Sequence, residues 1–492
     1  MLPRQKTDTD IVLNAAPSRG FHSQSRQAMG YFVLFTLILA VLMALFIIIV
    51  DPLQFYHRAT WYSPVFSKQE RYQNPGLAKN FDYDTIIIGT SMTENFLPSE
   101  VSQSLGGKAM KLSIEGSTAE EHYKIAKLAL KTGKVKKVLW GLDYFSLKNN
   151  TEEEQQTFPH YLYDDKLWND YKYIFNSSVY AQFAISIKDM LQGKTNDLEH
   201  LNNWNDESTF SKERTAKSYY DHSASEVYFG MNEEDIPVLQ QRFNTYVGQL
   251  LADYPDVQFY FYYPPYSVMR QAAWYNTNPK RFNNQLEMRK WMFQQINKHP
   301  NAMLYDFQSE ADWTFNLDLY KDISHHSGAV NSRIVRSIGK NDAKYRVTED
   351  NVELFNHELV SQTTSALMDK QGNVYAYKVK INSRDYPFSK RLIQGDGELF
   401  LPASETASSL RAAIAWDAAA KTAVFTTEQQ RIELSAGNKV ARVNGQEVLM
   451  TRPLLIAGGR AMVPIKFVAE QLGLETALHI EQRNYSLNIN SL

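Results

Sequence analysis

Positions 31–50, YFVLFTLILAVLMALFIIIV, are apolar throughout except for Thr36 and carry no charge. As a helix rising 1.5 Å per residue, this run spans about 30 Å, the thickness of a bilayer core. A buried helix of a soluble domain keeps a polar face, and this one has none. The run exceeds the roughly 7–15 apolar residues of a cleavable signal, and Asp51-Pro52 comes after it in place of a small-residue cleavage site. The feature therefore predicts an uncleaved signal anchor over 30–50. Arg4, Lys6, Arg19 and Arg26 outweigh Asp8 and Asp10 ahead of it. Positive-inside logic keeps the tail 1–29 in the cytoplasm and places everything after residue 50 outside, in a single-pass arrangement with the bilayer as first partner.

Beyond the anchor the chain is too long for one core, since it has 492 residues in all. A hydrophobic fraction of 43% and a charged fraction of 22% are those of globular protein. The net charge of −2 gives no reason to expect a nucleic-acid partner. The absence of cysteine excludes disulfides, thiol catalysis and cysteine-ligated metals, and suits a bacterial envelope protein that folds without oxidation.

Residues 51–81 read as a juxtamembrane lead-in. The run 84–89, DTIIIG, is a buried strand ending in a turn, 110–113 a weaker strand and 135–142 a third. Residues 119–131 form an amphipathic helix with Ser117 or Thr118 as cap and Gly133 as stop. Residues 148–234 are polar, aromatic and irregular, and read as a largely helical insertion. Helices over 234–254 and 281–298 alternate with strands over 257–263 and 302–307. Such alternation predicts a parallel sheet covered on both faces, with ligands bound beyond the carboxyl ends of its strands.

The segments at that edge include Gly89-Thr90-Ser91, Ser113 to Gly116, Gly141-Leu142-Asp143 and Pro264-Pro265-Tyr266, with Asp322-Ile323-Ser324-His325 after the last strand. A serine hydroxyl needs an imidazole to take its proton, and the imidazole needs a carboxylate to fix its tautomer. Ser91 supplies the first, and Asp322 and His325, three apart on one turn, supply the others. Backbone N–H groups of Ser91 and Gly116 are the candidate oxyanion donors. His325-His326 makes a poor metal pair, because adjacent residues rarely chelate one ion. No P-loop, GxGxxG, HExxH or EF-hand pattern occurs, and no cofactor is called for.

IIIGTSMTENF, Gly116 in SIEGSTAEE, WGLDYFSL and DISHHSGAVN fall in the order of the conserved blocks of the SGNH hydrolase superfamily, which residues 82–340 resemble. The resemblance implies a flavodoxin-like three-layer α/β fold over 82–345. By it, Ser91 is the nucleophile, Asp322 and His325 the acid–base pair, and Gly116, Asp143 and Tyr266 line the oxyanion or substrate site. It is strongest to membrane-anchored extracytoplasmic members, similar in layout to the teichoic acid D-alanyl transfer protein and to alginate-acetylation proteins. That implies an esterase or O-acyltransferase acting on a cell-envelope polysaccharide, with a membrane-bound acyltransferase as a further partner. Two positions depart from the family pattern: GTS stands for GDS, and Asp143 for an asparagine. The alternative is a non-catalytic scaffold or glycan-binding protein on the same fold.

The C-terminal part repeats itself at a constant offset of 62 residues. Ile381-Asn382-Ser383 matches Val443-Asn444-Gly445, Gly397 matches Gly459, and Leu401-Pro402 matches Val463-Pro464. Residues 438–492 resemble the stalk domain named after the N-terminal domain of copper amine oxidases, and 377–427 form a degenerate copy. No copper-binding histidine cluster accompanies them, so amine oxidation is rejected in favour of a spacer or wall-attachment module. The stretch 346–376 reads as a linker, and the small α+β stalk domain over 377–492 is expected to fold separately from the first domain.

Overall fold

Short apolar runs pair as a five-stranded parallel sheet in the computed structural model, which describes residues 19–193, 197–222, 234–394 and 397–491. Most of the expected cytoplasmic tail and parts of the 148–234 insertion lie outside the described residues. The strands are β1 (Thr85–Ile88), β2 (Ala109–Lys111), β3 (Lys137–Gly141), β4 (Gln258–Tyr263) and β5 (Ala302–Asp306), in the order β2-β1-β3-β4-β5. Every pairing is parallel.

Because side chains alternate along a strand, neighbours enter opposite faces. Ile86, Ile88, Val138, Trp140, Phe259 and Phe261 join one buried cluster, together with residues of helices Glu70–Asn80, Ala119–Leu130 and Pro279–Ile296. Ile87, Leu139, Tyr262 and Tyr305 join another, with helices Pro98–Leu105 and Gly328–Gly339. The result is a three-layer, doubly wound sheet whose strand order reverses between β1 and β3. Helix Ala119–Leu130 starts where its sequence says it should. Thr118 and Glu121 form a capping box, and Gly133 takes φ 71° beyond the last turn.

The 51–81 lead-in is more ordered than its sequence suggests. It contains helix Glu70–Asn80 with Pro75 and Gly76 at its centre, a pair that argues against helix. Packing wins there. A Cβ on Gly76 would stand 2.2 Å from the carbonyl oxygen of Leu53, so only glycine lets the helix approach the chain leaving the apolar N-terminal helix. That chain is pinned by Asp51, fully buried directly after the apolar helix Arg19–Val50. Its carboxylate accepts from the N–H groups of Phe55, Tyr56 and His57 at 3.0, 2.7 and 2.9 Å and from the Tyr173 hydroxyl at 2.6 Å. Burial pushes its pKa up, and those donors offset part of the rise.

The stretch 346–376 is not a loose linker. Helix Val352–Ser365 is bonded to the first domain through Asn356 Nδ2 to the Leu286 carbonyl at 3.1 Å and Gln362 Nε2 to that of Ser309 at 2.8 Å.

The 62-residue repeat is written into the C-terminal fold. Strand Glu398–Pro402 and helix Ala403–Ser409 reappear as Arg460–Pro464 and Ile465–Gln471. The two strands pair antiparallel with Leu401 opposite Val463, its own counterpart, so a pseudo-twofold axis passes between them. Asn382-Ser383 (φ 49° and 66°) and Asn444-Gly445 (φ 51° and 84°) make equivalent left-handed hairpin turns. The copies are intertwined. Strand Asn484–Asn490 of the second pairs in parallel with Val374–Ile381 of the first. Strands Ala413–Asp417 and Thr422–Thr426 of the first share a sheet with Val440–Val443 and Gln446–Leu449 of the second.

Strand Val374–Ile381 joins the two domains, its start packed on the first and its Tyr377 and Val379 packed in the C-terminal core. Val374 and Ala376 lie in one buried cluster with Met92, Tyr266, Met269, Trp274 and Phe315. Arg483 Nη1 donates to the Phe315 carbonyl at 2.7 Å. A buried valine alone contributes about 1.5–3 kcal/mol. Deleting residues 370–492 should therefore lower the melting temperature of the remaining domain and expose dye-binding apolar surface. A truncated chain that melts where the full chain does would contradict a stabilising role for that packing.

Candidate active site

A parallel sheet delivers the carboxyl ends of its strands to one edge, and ligands favour the point where strand order reverses. Here β1 and β3 flank that point. Gly89, at the end of β1, takes φ 148°, and a Cβ there would come within 2.6 Å of the Thr93 methyl. Gly141, at the end of β3, clears the same methyl, which a Cβ would also meet at 2.6 Å. The two glycines let the chain turn tightly into the 3₁₀ turn Ser91–Thr93, which presents Ser91 half-buried at the edge. The Asn331 side chain holds the Met92 carbonyl at 3.0 Å, and Thr93 Oγ1 donates to the Thr90 carbonyl at 2.8 Å.

Across 234 residues of sequence, Ser91 Oγ stands 2.9 Å from His325 Nε2. His325 Nδ1 is 2.9 Å from Asp322 Oδ2 and 3.1 Å from Oδ1. With Nδ1–H donating to the carboxylate, Nε2 is left as the acceptor of the serine proton. Asp322 Oδ1 also accepts the N–H groups of Ser324 and His325 at 2.8 and 2.9 Å, which closes the D-x-x-H turn on itself. Burial alone would raise the Asp322 pKa. The hydrogen bonds and charge of His325, with those two N–H groups, outweigh it and hold the carboxyl well below the usual range.

Asp143, directly after β3 and Leu142, is 3% exposed and fully engaged. Its Oδ2 accepts from Thr90 Oγ1 at 3.2 Å and from the Tyr266 hydroxyl at 2.6 Å, and its Oδ1 accepts the Phe145 N–H at 3.0 Å. The carboxylate thus joins the loops after β1, β3 and β4, and it makes no hydrogen bond to Ser91 or His325 among the described residues. Tyr266 is buried, and burial with the neighbouring Asp143 charge keeps its phenol protonated, as a donor must be.

Gly116 sits in an exposed turn at φ 62°, closed by Ser117 N–H to the Ile114 carbonyl at 3.3 Å. Ile114 N–H bonds Gly89 O at 3.0 Å, which ties this turn to the end of β1. The N–H groups of Ser91 and Gly116 have no acceptor among the described residues.

Three features at this edge have no sequence motif. Trp204, from the insertion, meets His325 edge to face with ring centroids 5.6 Å apart, and Lys321 Nζ lies 3.7 Å from its ring centroid. Asn205 beside it accepts the Gly328 N–H at 2.7 Å, fixing the insertion to the start of the helix after His325. Arg270 is buried, with Asp322 and Asp143 among the charges acting on it; burial first, then the like charge of Arg281, pushes it down to about 10. His326 is 1% exposed, and burial pushes it down to about 4, so it stays neutral.

Comparison with known proteins bears on the C-terminal part of the chain. Residues 380–487 match the family model of the copper amine oxidase N-terminal domain, a span that takes in both intertwined repeats. No curated protein matches the chain.

Behind the Ser91 turn lies a buried charge cluster. Lys111, on β2, donates to the carbonyls of Glu94 and Phe96 at 2.6 and 3.2 Å, and burial pushes it down to about 8. The Glu70 carboxylate accepts the Glu115 N–H, one residue before Gly116. Burial pushes Glu70 up to about 7, and Glu94 beside it is raised by burial and by the charges of Glu70 and Glu115. An acid that binds its proton more tightly folded than unfolded, where its pKa is about 4.3, gives stability that is fully present below that value and lost as pH rises through the folded pKa. Glu70 should accordingly make a contribution to the melting temperature that falls between about pH 4 and about pH 7, set against the rise up to about pH 6.5 that buried neutral histidines such as His326 supply. Glu70→Gln should flatten that fall, and parallel curves for the two proteins would remove the cluster from the pH dependence.

Proposed function

We propose that the chain is a membrane-anchored extracytoplasmic serine esterase or O-acyltransferase of the SGNH type, acting on acyl esters of a cell-envelope glycan. The observation that carries this reading is the unbroken chain from Ser91 Oγ to His325 Nε2 and from His325 Nδ1 to Asp322. It stands at the switch point of a doubly wound sheet, behind an N-terminal helix (Ser25–Val50) long and apolar enough to cross a membrane.

In the first half-reaction, Ser91 Oγ bonds to the ester carbonyl carbon as its proton passes to His325 Nε2. The carbonyl oxygen takes the negative charge and is met by the N–H groups of Ser91 and Gly116. The intermediate collapses by breaking the bond to the alcohol oxygen, which leaves with the proton from Nε2, and the acyl group stays on Ser91. In the second half, water or a sugar hydroxyl gives its proton to Nε2 and bonds to the acyl carbon; the bond from that carbon to Ser91 Oγ then breaks, Oγ takes the proton back from Nε2, and the acid or new ester leaves. Asp322 fixes the imidazole tautomer and offsets its charge when it is protonated. Asp143 serves by positioning: it holds the Thr90-Ser91 turn rather than facing the oxyanion, which answers the departure from the family's asparagine. The stalk domain acts as a spacer or wall-attachment module.

A fluorophosphonate probe should label the protein at Ser91. Ser91→Ala should abolish labelling, and His325→Ala should slow it by at least about 10³-fold. Labelling that persists in a folded Ser91→Ala variant would assign the nucleophile elsewhere, and no labelling of the folded wild-type protein would favour a non-catalytic role.

A further inference from the structure

Helix Ser177–Leu191, in the insertion between β3 and β4, has the sequence SSVYAQFAISIKDML and buries only Val179 and Ser186. Its inner face is tied to the lead-in: Gln182 Nε2 and Ser186 Oγ both reach the Val65 carbonyl, at 3.3 and 3.4 Å. The remaining surface is mostly apolar and uncovered. Ile185 is 50% exposed and Leu191 84%. At 100° per residue, Ala181, Ala184, Ile185 and Leu191 fall on one side of the helix with Lys188 among them. The preceding loop exposes Leu167 and Trp168 at 83% and 73%. Large apolar side chains gathered this way on a surface mark an interaction site.

The place of the helix identifies what covers it. Phe183 meets Phe46 edge to face, with ring centroids 4.9 Å apart. Phe46 lies four residues before the end of the apolar helix, about 6 Å inside it at 1.5 Å per residue. Ile47, in the same turn, is fully buried in a cluster with Leu53, Phe55, Leu162, Tyr173 and Val179. Helix Ser177–Leu191 therefore touches the anchor within its apolar span and not beyond it. The apolar run 31–50 is about 30 Å long as a helix, matching roughly 30 Å of hydrocarbon, so its last turns lie at the outer edge of the hydrocarbon against the headgroup boundary. Amphipathic helices seat their apolar face about 5–10 Å into that boundary, tryptophan favours the same depth, and a lysine on the apolar face can reach back to water.

We propose that helix Ser177–Leu191 and the Trp168 loop lie in the lipid interface beside the anchor, as a second, monotopic membrane attachment. This rests on the reading of residues 31–50 as a membrane anchor. The Asp51 carboxylate, bonded to Tyr173 in the insertion, locks the two attachments together, so the domain rides the membrane in one orientation instead of swinging on a tether. The Ser91 edge is then held at a set height above the bilayer, which suits a substrate that is itself confined near the membrane.

The chain has no cysteine, so single-cysteine variants report one position each. Full-length protein carrying an environment-sensitive fluorophore at Leu37→Cys, Leu191→Cys or Ile480→Cys would be reconstituted in phosphatidylcholine–phosphatidylglycerol vesicles with and without brominated acyl chains. Leu37 tests the anchor, and Ile480, exposed in the stalk domain, is the control outside the lipid. The expected result is bromine quenching at 191 approaching that at 37 and several-fold above that at 480. Quenching at 37 with 191 behaving like 480 overturns the interfacial attachment and leaves the face to a protein partner. Quenching at none of the three overturns the anchor reading, and the proposal with it.

Discussion

One buried carboxylate gathers the loops on which the candidate site depends. Asp143 takes hydrogen bonds from Thr90, Phe145 N–H and Tyr266, which belong to the loops after β1, β3 and β4. A parallel sheet places those loops at one edge but fixes their distances only as far as its backbone bonds reach, the last near Gly89 and Leu142. A charge-assisted cluster in a dry setting does fix them, and it leaves a buried anion stranded when a donor is removed. Thr90 is the residue before Ser91, so the position of the nucleophile is set partly by a residue that does not touch it.

The same edge separates its charges by environment. Asp322 keeps a low pKa because His325 and two N–H groups face it, despite its burial. Behind Ser91, Glu70 and Glu94 are pushed the other way, first by burial and then by neighbouring carboxylates, which Arg71 and the buried Lys111 offset only in part. An ionised carboxylate at the imidazole and carboxyls that hold their protons more tightly behind the turn would suit the proposed chemistry, in which negative charge develops on the substrate.

Much of this architecture was legible in the sequence. Runs such as DTIIIG and VQFYFYY are too short and too apolar for exposed helices, so the strands declared themselves, and alternation with amphipathic segments implied a parallel sheet. Ser91, Asp322 and His325 could be grouped because strand ends share an edge and D-x-x-H closes within one turn; the structure brings all three together. Helix Glu70–Asn80 was hidden because Pro75 and Gly76 speak against helix locally while packing on Leu53 decides otherwise. Trp204 was hidden because its contact with His325 depends on how an irregular insertion folds back. The repeat was visible as an offset of 62 residues, but its intertwining was not, since pairing Asn484–Asn490 with Val374–Ile381 is a long-range choice that no local pattern encodes. Nor was it visible that the strand Val374–Ile381 would start on the first domain, with Val374 and Ala376 buried beside Met92 and Tyr266.

The proposed chemistry requires that Ser91 carry an acyl group during turnover. Mixing the full chain with an activated acyl ester, quenching in acid within the first turnover and sequencing the peptides by mass spectrometry tests this directly. One acyl adduct is predicted, on Ser91, and His325→Ala should all but eliminate it. Ester cleavage with no adduct on Ser91, or an adduct elsewhere that survives Ser91→Ala, would contradict the assignment.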